Sequence, residues 1–392
     1  MLKPILTLHD IFGDGYIFNG RGSYHNSQWL PNSISQDSSS GSMLTLAGET
    51  PILCHKDVVD PLCLDIHKDA GLQVARNIYT YDNENSYYNL LNQLQKLNQK
   101  MILNYAHLPC EIDKEKYWIK TELLTYLNNK RYLGELVPKQ YVPDRIILPI
   151  SKLTINDKIS FEFPFVVKAV TDQPSGGGFD IVICKNIEDL KQATQIFKSC
   201  QSIIIEKFLS IKKNYCVQFV QTHKGKMIYL GSAEQIISDE GKYSGNWIDA
   251  DDQPPDAVIQ IGKEIMEKAV SLGYWGVAGF DIVITEDNRI FVIDLNFRQN
   301  GSTGALLFME QIMTSLSVKV LKLRKWKTNL GFDKFKKSVK PMVSGKMLIP
   351  LCIYNPTIQN PDNPIYLSSI LVGNSKDEIK QIEGQMGKIG FK

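Results

Sequence analysis

Several common signatures are missing from this sequence, and each absence removes a class of function. None of its seven cysteines stands in C-x-x-C or C-x-x-H spacing, so neither a zinc framework nor a disulfide scaffold is indicated. Reduced thiols and a cytoplasmic location are the expectation. No stretch reaches the roughly 18 consecutive apolar residues that a membrane-spanning helix needs. The opening MLKPILTLHDIFGDG also carries too short an apolar run for a secretion signal. Charge of one sign is lacking too: 44 Lys and Arg against 42 Asp and Glu leave a net charge of +2, without the broad basic field that binds nucleic acid. Gly13-Asp14-Gly15 and Gly20-Arg21-Gly22 are not followed by the helix that a dinucleotide fingerprint requires, and they read as loop.

What is present is ordinary in bulk and specific in places. A chain of 392 residues, 43% hydrophobic and 22% charged, predicts a globular protein of two or three domains. Residues 5–8 read as a short strand, residues 87–97 as a helix by their apolar spacing, and residues 101–105 as a further strand, which together suggest an α/β N-terminal unit. Residues 116–128 read as an amphipathic helix carrying Lys120. Five histidines scattered through the first 107 residues read as packing or surface groups.

Two stretches carry chemistry. In residues 276–304, two apolar runs flank Thr285-Glu286-Asp287-Asn288-Arg289, which reads as a hairpin. Asp281 lies at the start of its first strand and Asp294 and Asn296 at the end of its second, so the antiparallel pairing sets them side by side. Alternation sends Asp294, Asn296 and Arg298 to one face. Two carboxylates and an amide oxygen suit Mg²⁺, with Mn²⁺ as an alternative ion, and Arg298 would clamp an anion. Further upstream, a strand bearing Lys168 leads through Thr171-Asp172-Gln173-Pro174-Ser175-Gly176-Gly177-Gly178 into a second strand. Backbone N–H groups of such a loop approach phosphate oxygens closely, since no Cβ intervenes, and Lys168 adds a full charge. Because no helix follows and G-K-[ST] is absent from this loop, it is not a Walker loop.

Asp281, then Asp294-x-Asn296-x-Arg298, then Gly and Ser, resembles the metal-binding signature of the ATP-grasp superfamily, the fold of D-alanine ligase and many carboxylate-amine ligases. Asp294 departs from the pattern, where Glu is more usual. The resemblance spans about residues 116–320 and implies an α+β fold: two lobes clamping ATP, preceded by an α/β pre-ATP-grasp domain. It implies domains at 1–115, 116–208 (the small lobe with the glycine loop) and 209–392 (the large lobe with the metal site and closing segment).

The implied nucleotide contacts are Lys120, Lys168, Ser175, Gly176, Gly177, Gly178, Ile293 and the linker Glu206-Lys207-Phe208-Leu209. In that linker Glu206 would meet the adenine amino group, and backbone groups of Phe208 and Leu209 its edge. Asn214 stands in for the ribose-binding acid. Lys120 replaces the family's Asn-Asp-Lys with Trp118-Ile119-Lys120, and a solvated helix lysine is the competing reading. Lys242 could meet the γ-phosphate or a substrate carboxylate, or could be a mobile surface lysine.

The implied activity is ATP-dependent amide or peptide bond formation from an amino acid or peptide through an acyl phosphate, releasing ADP and phosphate. Two alternatives stand beside it. One is a ligase acting on a substrate tethered to an acyl-carrier protein, suggested by the eight Lys and Arg residues between positions 320 and 340; the other is a non-catalytic ATP-binding module. An oligomer is left open. Neither nucleic acid nor membrane is expected as a partner.

Overall fold

The structure is a computed structural model of the chain that describes residues 1–26, 28–153, 161–237 and 243–392. Three sheets organise these residues. The N-terminal sheet is wholly parallel, in the order Ile78–Tyr81, Ile52–His55, Tyr16–Asn19, Lys100–Leu103. Helices Ser33–Ser39, Pro61–Asp69 and Glu84–Leu94 lie in its three crossovers, as parallel pairing demands. The expected strand at residues 5–8 is instead the approach to a helix, Leu8–Phe12. Thr7 and Asp10 form a reciprocal capping box there, which satisfies the first helical N–H groups and outweighs the β-leaning of the apolar residues.

A small four-stranded antiparallel sheet follows, ordered Arg145–Pro149, Ser202–Lys207, Phe165–Val170, Ile181–Cys184, with helix Ile187–Ile196 against it. The largest sheet has eight antiparallel strands. Its order is Ile290–Asn296, Gly276–Thr285, Ile211–Gln221, Met227–Ile237, Tyr243–Asp249, Val320–Thr328, Ile365–Gly373, Leu348–Tyr354. Helices Asp256–Ser271 and Thr303–Leu316 cover it, and Lys376–Ile389 packs near its closing strands.

One continuous core joins the parallel sheet to the eight-stranded sheet, from Phe18 and Leu53 through Phe280 and Phe308 to Ile370. The small sheet closes over a separate core of Phe165, Val167, Leu190, Phe197, Ile203 and Ile205. Residues 116–142, read from sequence with the small lobe, contribute Leu124, Leu127, Leu133, Leu136 and Val137 to the larger core. Among the described residues no helix is long and apolar enough to cross a membrane.

Candidate functional site

The hairpin of Gly276–Thr285 and Ile290–Asn296 sets Asp281 directly opposite Asp294 and Gly279 opposite Asn296. A register shift just after Asp281 re-aims the strand beside the acids, a common device at functional sites. Gln235 Nε2, from the adjacent part of the sheet, donates to Asp281 Oδ1 at 2.7 Å. Across the cleft, Lys130 Nζ lies 2.8 Å from Asp294 Oδ1 and 3.1 Å from Asp180 Oδ2. Arg298 Nη1 donates to Asn296 Oδ1, while its Nη2 donates to the Ser175 carbonyl at 3.1 Å. The hairpin's polar end and the glycine loop therefore meet through one guanidinium.

Charge in this cleft is dense and poorly solvated. Burial, followed by repulsion from Asp294, pushes the Asp281 carboxyl up to about 7. Burial acts on Asp294 in the same direction, but the charge and hydrogen bond of Lys130 outweigh it and hold Asp294 below the usual carboxylate range. Lys130 is raised in turn, because Asp180 and Asp294 overcome the cost of burying an ammonium. Two opposed carboxylates, one of them destabilised as an anion by the other, fit a hard divalent cation that would relieve that repulsion. Asn296, only 9% exposed, adds a neutral oxygen ligand. With the small number of carboxylates, the set suits Mg²⁺, which completes its shell with phosphate and water.

The small lobe supplies the facing wall. Lys168, on the central strand Phe165–Val170, is buried and donates to Glu206 Oε1 at 2.5 Å and to the Ile293 carbonyl at 2.9 Å. Glu206 Oε2 is buried without a hydrogen-bond partner; Arg145 Nη1 stands 3.9 Å away. Such an unmet acceptor has a standing cost that a donor from a bound ligand would remove. In the loop, Gly177 and Gly178 take φ of +70° and +81°, the left-handed region that favours glycine. A cavity between the loop and the hairpin is lined by Tyr105, Asn128, Lys130, Ser175, Asn296 and Arg298, among others.

Some sequence expectations land elsewhere. Helix Thr121–Asn128 begins after Lys120, which is an exposed N-cap residue and does not line this cavity. The buried lysine is Lys130, in the turn Lys130–Tyr132 just past the helix, where the Asn129 side chain caps the turn and Arg145 Nη2 binds the Lys130 carbonyl at 2.7 Å. The signal was in the sequence: Asn128-Asn129-Lys130 fits the Asn-Asp-Lys pattern better than Trp118-Ile119-Lys120. Asn128 Oδ1 accepts from Phe297 N at 3.0 Å, which ties this turn to the end of the hairpin.

Lys207 and Phe208 leave the end of their strand exposed, with Leu209 half-buried after them. Asn214 sits in the eight-stranded sheet, where its Nδ2 donates to Gln235 Oε1 at 3.3 Å and its Oδ1 is buried without a partner. Lys242 lies outside the described residues. The basic run from 320 to 340 is not one face. Lys322 and Arg324 project from strand Val320–Thr328 toward Glu383, at 2.5 and 3.6 Å, whereas Lys334, Lys336, Lys337 and Lys340 belong to helix Phe332–Ser344. Sequence reasoning also missed Gln235 and Asp180, since no local pattern distinguishes either one.

Comparisons with known proteins bear on the family and the fold. Residues 7–125 match the family described as the L-aspartate–L-methionine ligase N-terminal domain, and residues 143–296 match its ATP-grasp domain. Among solved structures, an N5-carboxyaminoimidazole synthetase from Staphylococcus aureus complexed with ADP superposes with a TM-score of 0.59 at 14% identity, covering 99% of this chain and 98% of that one. A biotin carboxylase from Campylobacter jejuni reaches 0.60 at 11% identity, over 96% and 91%. An L-amino acid ligase from Bacillus licheniformis reaches 0.53 at 13% identity, over 96% and 97%. With residues 7–125 and 143–296 both matched and its acids opposed across one hairpin, the chain belongs to the ATP-grasp superfamily of carboxylate-amine ligases.

Proposed function

We propose that this ATP-dependent ligase activates the carboxylate of L-aspartate and joins it to the amino group of L-methionine. The amino acid pair comes from the description shared by both matched families. The observation that carries the chemistry is the convergence of Lys130, Lys168 and Arg298 on a cleft floored by Asp281, Asp294 and Asn296.

A carboxylate oxygen of the first amino acid attacks the γ-phosphorus, and the bond to the β,γ-bridging oxygen breaks with its electron pair leaving on ADP. The amine of the second then attacks the acyl carbon, and phosphate departs with the C–O electron pair while the amine loses its proton. Lys168 and the backbone N–H groups of Ser175, Gly177 and Gly178 bind the phosphates, and Glu206 offers its unmet oxygen to the adenine amino group. Ile293 holds Lys168 through its carbonyl. Lys130 keeps Asp294 ionised, and Arg298 stabilises negative charge on the transferred phosphoryl group. Asp281, Asp294 and Asn296 would hold Mg²⁺, which screens phosphate charge when bound. Asn214 and the 207–209 backbone would border the ribose and base.

No side-chain nucleophile is required, because ATP itself activates the carboxylate. The scattering of the basic residues over a strand and a helix gives no single face for an acidic carrier, so the free amino acid is preferred. The test is incubation with Mg-ATP, L-aspartate and L-methionine, followed by mass spectrometry. The expected products are the aspartyl-methionine dipeptide, ADP and phosphate. AMP with pyrophosphate, or phosphate release with no dipeptide, would refute the scheme.

A further inference from the structure

A strap from the N-terminal unit reaches into the small lobe. Trp29 is 3% exposed, and its ring lies in the small-lobe core, 5.7 Å from Phe197, although the chain around it belongs to the parallel sheet's domain. Gln28 Nε2 donates to Ser199 Oγ at 2.8 Å, which adds a second tie to the same lobe. Trp29 pairs with Ser175 as an isolated parallel bridge, and its carbonyl accepts from Gly176 N–H at 3.0 Å. Leu30 and Pro31 lie against the loop: Cβ atoms built at Gly176 and Gly177 would stand 3.7 Å from Leu30 and 3.9 Å from Pro31.

The strap is anchored at its root. Gln36 accepts from Gly22 N at 3.1 Å and donates to the Pro31 carbonyl at 2.9 Å, closing the strap's two ends. Beside it, the fully buried Arg21 pairs with Asp37 at 2.7 Å.

Three consecutive glycines define a loop's shape poorly, since glycine loses the most conformational freedom on ordering. Here the loop is held from two sides: Arg298 grips the Ser175 carbonyl from within the cleft, and the strap grips Gly176 N–H from outside it. We propose that Trp29 is a positioning residue for the ligase reaction, seating the strap in the small lobe so that its backbone fixes the glycine loop for the ATP phosphates. This rests on the reading of residues 175–178 as the phosphate loop.

The test uses the full chain in hydrogen exchange over residues 171–179 and in kinetics with Mg-ATP. Trp29→Ala should speed exchange there about tenfold and raise the ATP KM about fivefold to tenfold, the scale of one lost hydrogen bond and its packing. The amino acid KM values and kcat should move less than about twofold, and Trp29→Phe should restore both signals. Ile205→Val loosens the same core without removing the Phe197 ring on which Trp29 packs, and should leave exchange at 171–179 unchanged. If Trp29→Ala does not fold, Gln36→Leu unties the strap's root without opening the small-lobe core and should give the same acceleration. Equal exchange in the strap variants and in Ile205→Val would overturn the proposal. Faster exchange with an unmoved ATP KM would instead show that the strap holds the loop but that the loop does not hold ATP, which refutes the phosphate reading on which the proposal stands.

Discussion

The parallel sheet and the eight-stranded sheet share one core, whereas the small antiparallel sheet closes over its own, entered from outside by Trp29. The acids and Arg298 sit on the first body, and Lys168, Glu206 and the glycine loop sit on the second. The proposed catalytic groups are thus divided between two bodies, each packed around its own core. Polar ties span the division, chiefly Lys130 to Asp180 and Arg298 to Ser175.

The largest expected effect tests whether the two cores are separate. Phe280→Ala should cost about 3–5 kcal/mol in global unfolding, measured by denaturant titration. Phe165→Ala should cost a similar amount locally, with hydrogen exchange rising in Ser202–Lys207 while Gly276–Thr285 keeps its protection. Simultaneous loss of both regions in either variant would show a single cooperative unit.

Next come the groups that face one another across the cleft. Asp294→Ala in the large body and Lys168→Met in the small lobe should each lower ADP formation by about 10²–10³-fold. Melting should show both folded, and the double variant should fall far short of the product of the two losses, because both act on one transition state. Wild-type turnover in either would remove its assigned role.

Lys130→Met sharpens the comparison further, since this lysine belongs to the large core yet pairs with small-lobe Asp180. A loss of about 100-fold in kcat/KM is expected, against less than about twofold for Lys120→Ala. The reverse ranking would restore Lys120 as the phosphate ligand.

The smallest effect concerns pH and falls on the large body alone. Burial lowers His107 to about 4 despite the charge of Glu111, and burial lowers His67 as well. Both are neutral in the fold, so the unfolded chain binds more protons below its ordinary histidine pKa and stability is lost as pH falls from about 6.5 toward 4. For His107 alone the loss between pH 7 and 5 is about 2 kcal/mol. His107→Gln should flatten that part of the stability profile; an unchanged slope would place the titration elsewhere.

The acid-bearing hairpin and the glycine loop were legible because their information is local. Strand alternation placed Asp294, Asn296 and Arg298 together, and a two-strand register placed Asp281 opposite, with no need of distant contacts. The helix starting at Thr121 was read with too early a start and the capped helix at Leu8 was read as a strand, because caps decide where apolar runs mislead. Lys130 carries no periodicity in its short turn, and only the match of Asn128-Asn129-Lys130 to the Asn-Asp-Lys pattern marked it in the sequence. Its importance appears only when the hairpin delivers Asp294 and the small lobe delivers Asp180.

The sequence by itself determined the chemistry's vocabulary: paired acids with an amide and an arginine, a lysine before a glycine loop, and the alternation that aims them. Tertiary structure alone decided which lysine is buried between two carboxylates, that the basic run is split between a strand and a helix, and that Trp29 belongs to a core other than its own domain's. Each of these depends on contacts between residues far apart in the chain, and such pairings are set by how whole sheets pack, which no short window of sequence contains.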